Sequence, residues 1–106
     1  MNINDYVKLA NLRAEQKGFW DDMTVTATKS DTNNAISCRL MLIVGEVAEA
    51  QEALRNNDPD NFAEELADIA IRLFDLAGGL GVDLETEINN KMAKNLKRPY
   101  KHNKCF

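Results

Sequence analysis

Four acidic side chains carry the clearest chemistry in this sequence. Glu46 and Glu49 are three residues apart, and so are Glu65 and Asp68. On a helix that spacing places both members of a pair on one face. Between the pairs lies Asn56-Asn57-Asp58, followed by Pro59. Asp is a favoured helix cap and Pro a favoured first helical residue, so a turn and a new helix are expected here. Two helices joined so tightly must run antiparallel. The positions 49 and 65 average to 57, and so do 46 and 68, so each acid should face its counterpart at one height. Each also falls one residue before an apolar position: Val47, Ala50, Leu66 and Ile69. The four should therefore flank a core stripe. Like charges gathered there are unfavourable unless neutralised, and divalent cations with oxygen ligands neutralise them. Taken singly, each acid also reads as a solvated helix residue pairing with Arg55 or Arg72. Matched height and matched offset favour a metal site. Glu52 and Glu64 are given solvated or supporting roles.

The single histidine, His102, excludes a His-rich zinc site within one chain and the two Glu-x-x-His motifs of di-iron bundles. Carboxylate ligands suit Mg²⁺, with Mn²⁺ as a substitute. Water and substrate oxygens would complete the coordination. Over 106 residues there are 17 acidic and 13 basic side chains, a net charge of −4. That balance argues against nucleic acid or a membrane surface as partner. The distribution says more than the total. Residues 46–68 hold eight of the acids and one base, Arg55, whereas residues 91–106 hold six bases and no acid. Lys91, Asn95 and Arg98 share a helix face and are candidate phosphate or sugar contacts. The competing reading of Lys91 or Lys94 alone is a solvated lysine favoured by the helix dipole. Arg72 is a candidate phosphate contact, although an ion pair with Asp68 or Asp75 is the preferred role. Trp20, the sole tryptophan, can stack on a base, with a core or subunit-interface position preferred.

Helix periodicity dominates the elements that must position these residues, and no run alternates like a strand. The first helix is expected over Ile3–Lys17, stopped by Gly18. A polar segment through Asn34 follows. The second helix is expected to start near Asn33 or Asn34 and to reach about Asn56, with Ile36, Leu40, Ile43, Val47, Ala50 and Leu54 as its stripe. The third starts at Pro59, with Phe62, Leu66, Ile69, Leu73, Leu76 and Leu80 inward, and ends at Gly78, Gly79 and Gly81. Asp83 caps a fourth through about Lys97, before Pro99. The fold class is all-α, a four-helix bundle around a central antiparallel hairpin, with residues 1–106 as one domain.

Gly45-Glu46-Val47-Ala48-Glu49-Ala50 and Glu64-Glu65-Leu66-Ala67-Asp68-Ile69-Ala70-Ile71-Arg72 resemble the ExxE…ExxD signature of MazG-like proteins, the all-α nucleoside triphosphate pyrophosphohydrolases. Lys91 to His102 resembles the family's closing K-M-x-x-N-x-x-R-P-x-x-H segment, except that Asn103 stands where Gly is usual. Gly18-Phe19-Trp20 resembles an aromatic segment of some members. The resemblance implies Mg²⁺-dependent hydrolysis of a nucleoside or deoxynucleoside triphosphate to the monophosphate and pyrophosphate. It implies Glu46, Glu49, Glu65 and Asp68 as metal ligands, with Glu46 or Glu49 also orienting or deprotonating the water. Two alternatives stay open: a non-catalytic regulatory dimer, and a same-fold hydrolase of dUTP or phosphoribosyl-ATP.

The apolar faces exceed what one short bundle covers, so a homodimer is expected, with a tetramer as the alternative. Cys38 and Cys105 are too few for a disulfide scaffold and read as reduced thiols, Cys38 buried on a helix. The first residues have no basic start or apolar run typical of a signal peptide, and no stretch is long enough to span a bilayer. A cytoplasmic location is expected.

Overall fold

The computed structural model describes residues 1–23 and 28–100. Among them are four α-helices and no strand: α1 (Ile3–Gln16), α2 (Lys29–Arg55), α3 (Pro59–Leu80) and α4 (Leu84–Leu96). The starts are set by side chains that satisfy backbone N–H groups left over in a first helical turn. Asp58 accepts from the Asn61 N–H and Asp83 from the Thr86 N–H, as the sequence leads one to expect. α1 begins with a reciprocal box between Asn2 and Asp5.

α2 begins at least four residues earlier than expected, at Lys29 rather than Asn33 or Asn34. The cause is a second reciprocal box, in which Thr28 accepts from the Asp31 N–H and Asp31 from the Thr28 N–H. The Thr-x-x-Asp signature is plain in the sequence, but the polar run around it disguises a helical turn as loop.

Three helices end in the same way. Gly18, Asn57 and Gly81 adopt φ of +83°, +53° and +70°. The residue after each reaches back with its N–H: Phe19 to the Ala14 carbonyl, Asp58 to Ala53 and Val82 to Ala77. This is the Schellman closure, and Asn57 fills it as the non-glycine residue most tolerant of that backbone. It compresses the link between α2 and α3 into Asn56-Asn57-Asp58.

α1 and α2 both pack on α3, and α4 packs on α1. At the α1–α3 contact, a Cβ added to Gly78 would lie 2.7 Å from Asn11 Cβ and 3.0 Å from the Val7 carbonyl. Only glycine allows that approach. Asn11 Nδ2 donates to Asp75 Oδ1 at 3.1 Å across the contact, and the Tyr6 and Phe74 rings stack 6.4 Å apart. α4 is fastened through its start. Ile3 N–H donates to Glu85 Oε1, the Glu85 N–H to Asn4 Oδ1, and Asn4 Nδ2 to Asp83 Oδ1.

The buried apolar residues are mostly small: Val7, Ala14, Ala35, Ala50, Ala53, Leu76 and Ala77. The stripe expected to face inward is only partly there. Leu40, Val47, Leu54, Leu66, Leu73 and Leu80 are between 39% and 57% exposed. Ala50, Ala53 and Glu65 occupy the inside of the α2–α3 contact instead. The radius of gyration is 16.4 Å, against about 13 Å for a compact chain of this length. Cys38 is exposed rather than buried. The same helix turn directs Ala35 and Arg39 inward, which leaves Cys38 on the outside. Cys105 and His102 lie outside the described residues. Among those described, no helix is long and apolar enough to cross a membrane.

Candidate metal centre

Glu46 and Glu49 project from the middle of α2, and Glu65 from the second turn of α3. Each offers a carboxylate oxygen, and the three oxygens lie within 4.8 Å of one another. Small neighbours make this approach possible, because Ala50 and Ala53 let the two helices close. Glu65 is buried, Glu46 is half-buried and Glu49 is exposed, so the trio forms a graded path from the helix contact to solvent.

The electrostatics are unequal. Arg72, one turn beyond Asp68 on α3, donates from Nε to Glu46 Oε1 at 2.8 Å. This hydrogen bond holds the Glu46 carboxyl below its ordinary pKa, against the opposing effect of burial. Arg72 thus pairs across to α2, not with Asp68 or Asp75. Its reach exceeds the i,i+4 spacing that suggested those partners, and Asp75 is already engaged. Among the described residues, Glu65 has no such cation. Burial, followed by the adjoining Glu46 and Glu49 carboxyls, pushes its pKa up to about 7. Glu46 Oε2 and Glu65 Oε2 are buried with no hydrogen-bond partner among the described residues. A buried polar atom left unpaired is costly and rare. Two such hard oxygens beside a third carboxylate are a donor set that fits a divalent cation.

Asp68 is exposed and is not part of this trio. With Glu46 and Arg72 it lines a groove of about 770 Å³ between α1 and α3. A smaller cavity of about 290 Å³ adjoins it, and Phe19, Arg72 and Asp75 line both. Lys91 and Arg98 are exposed, Asn95 is half-buried with an Oδ1 that has no partner among the described residues, and none of the three lines either cavity. Glu52 and Glu64 are exposed, and Glu52 pairs loosely with Arg55 at 3.7 Å.

Trp20 is held from several sides. Its Nε1 donates to Asp75 Oδ1 at 2.8 Å, and the Arg39 guanidinium carbon lies 4.0 Å from the ring centroid. Gly79 has no side chain because a Cβ there would collide with the ring. Arg39 also donates to both Asp22 carboxylate oxygens, at 2.6 and 3.1 Å, and to the Phe19 carbonyl at 2.8 Å. It ties the segment after α1 to α2, a part that sequence reasoning missed. The signal was present: Arg39 is the lone cation in the otherwise apolar or small-residue run from Ala35 to Val44, where an unpaired charge would be costly.

Comparison with known proteins adds one finding. The family model described as the MazG-like family matches residues 40–105, more than half of the chain, including all four acids and Arg72. No curated protein and no solved structure matches the chain. Over that span, with an all-helical arrangement that gathers the first three acids of the double motif, the chain belongs to the MazG-like family.

Proposed function

We propose that this protein hydrolyses a nucleoside or deoxynucleoside triphosphate to the monophosphate and pyrophosphate. The observation that carries this reading is the convergence of Glu46, Glu49 and Glu65, with two buried oxygens lacking any partner. The groove beside them lies within the size range of small-molecule sites.

Glu46, Glu49 and Glu65 would hold Mg²⁺, or Mn²⁺ in its place, with Asp68 as the fourth carboxylate. When bound, the cation supplies charge neutralisation for phosphate oxygens and a lowered pKa for a coordinated water. The chain's own groups do the rest. Water adds to a phosphoryl group, the phosphoanhydride between the α and β phosphates breaks, and pyrophosphate leaves. Arg72 occupies Oε1 of Glu46, so Glu49 is the freer carboxylate to orient the water and take its proton. Arg72 fixes Glu46 and presents positive charge to both cavities. Trp20, held by Asp75 and Arg39, would stack on the base. Lys91, Asn95 and Arg98 bind phosphate or sugar from the α4 side, including across a subunit boundary.

The antiparallel α2–α3 hairpin is the centre of the fold, and residues 1–106 act as one domain. Two copies join through the exposed leucine and valine faces of α2 and α3 in a homodimer, with a tetramer as its doubled form. The protein works in the cytoplasm, without nucleic acid or membrane.

A panel of canonical and modified nucleoside triphosphates with Mg²⁺, assayed for pyrophosphate, tests the reaction. Pyrophosphate release from at least one is expected. Release of inorganic phosphate alone, or of nothing, would overturn it. Glu49→Gln and Asp68→Asn should each lower turnover by about a hundredfold or more with unchanged helical circular dichroism. Full activity in either would remove that residue from the site.

A further inference from the structure

The groove beside the acidic trio is lined by three cations, and none comes from the basic end of the chain. They are Arg13 and Lys17 on the last turn and cap of α1, and Arg72 on α3. Arg72 is committed to Glu46. Arg13 and Lys17 are not committed: neither has a hydrogen bond or ion pair from its side chain among the described residues, whereas Arg39, Arg55 and Arg72 each have an acid partner. Four residues apart on one helix, they present adjacent charges to the same wall. Cations at a helix C-terminus gain a little from the dipole, but that gain does not require a groove in front of them.

The groove therefore has two characters. Glu46, Asp68 and Asp75 in its wall favour a cation, while Arg13 and Lys17 favour an anion. A free anion is repelled by the acids and a free cation by the two bases. A polyphosphate carrying its own divalent cation satisfies both. We infer that Arg13 and Lys17 are phosphate-binding residues that hold the triphosphate chain in this groove. The inference rests on the proposed hydrolytic reading and adds to it a part of the site contributed by α1. Arg13 can offer a forked pair of N–H groups to two oxygens, and Lys17 a point charge.

Calorimetric titration of the full chain with inorganic tripolyphosphate in Mg²⁺ tests this without any turnover. Arg13→Gln and Lys17→Gln should each weaken binding about tenfold, and the double variant by more. Arg13→Lys should retain part of the affinity. Lys8→Gln makes the same charge change on α1 outside the groove and should cost less than about twofold. Unchanged binding by the double variant would overturn the inference. So would an equal loss in Lys8→Gln, which would reveal a general charge effect, or dissociation of a dimer with binding intact, which would place a second copy in the groove. The two readings fail separately. If the double variant loses tripolyphosphate but wild type cleaves no nucleotide, the binding residues stand and the hydrolase reading falls. If wild type cleaves nucleotides and the double variant binds as wild type does, the reverse holds.

Discussion

On one side, α3 meets α1 through Gly78 against Val7 and Asn11. On the other, it meets α2 through Glu65 against Glu46 and Glu49. The first contact is close and satisfied: a missing Cβ lets the backbones approach, and Asp75 accepts from both Asn11 and Trp20. The second is also close, made so by alanines, but it brings together charges that repel and leaves two oxygens without donors. One contact is satisfied as it stands, and the other leaves oxygens that a cation could satisfy. The difference separates a contact that follows the local rules of stability from one that breaks them, and functional sites are where such rules are commonly broken.

That contrast can be broken most strongly at Gly78. Gly78→Ala should lower stability by about 1–3 kcal/mol in urea unfolding, because the new methyl meets backbone that cannot yield. The loss should be the same with and without Mg²⁺. A cation-dependent loss would mean that the two contacts are not independent.

Arg72→Met acts on the other side. It strands the Glu46 carboxylate, and the cost in cation-free protein should be about 1 kcal/mol, kept small because Arg72 is 40% exposed and water replaces part of its bond. Added Mg²⁺ should recover most of this loss, which a melting series with and without the ion would read.

The subtlest test is pH. Glu65 titrates near 7 in the fold and near its ordinary 4.5 when unfolded. Between those values the folded state holds more protons, so cation-free stability should fall as pH rises from about 4.5 to 7 and then level off. Glu46 acts in the opposite sense below that window, where its lowered pKa adds stability that is lost on acidification. Glu65→Gln should flatten the fall, stabilise the cation-free protein at pH 8, and remove any stabilisation by Mg²⁺. A slope that survives Glu65→Gln would place the titrating group elsewhere.

The fold was legible where local signals and periodicity agree. Asp58-Pro59, Asp83 and the turn at Asn57 each announce a helix end by known chemistry, and the structure uses them so. The start of α2 was obscured because its first turn is polar on every side, leaving Thr28 and Asp31 as the only marks. Which face turns inward was read less well. Periodicity locates an apolar stripe but does not say whether this chain or another covers it, and Val47 and Leu66 are each 50% exposed. For the site, equal distance from the turn paired Glu49 with Glu65 and Glu46 with Asp68, whereas the structure brings Glu46, Glu49 and Glu65 together. Asp68 is three residues further along the same helix, yet exposed and outside the trio. The partner of Arg72 and the role of Arg39 depend on side-chain reach between elements, which one-dimensional spacing does not encode.

The three-residue link closed by Asn57 makes the stretch from Glu46 to Arg72 a ruler. Its letters can change wherever size and polarity are kept, but its length cannot. One alanine inserted within α3 between Asp58 and Glu65 would advance the later side chains by about 100° and 1.5 Å. Glu65 would swing off the α2 contact and Arg72 away from Glu46, although each helix would still form. Insertions and deletions should therefore be barred from this interval even where substitutions are accepted.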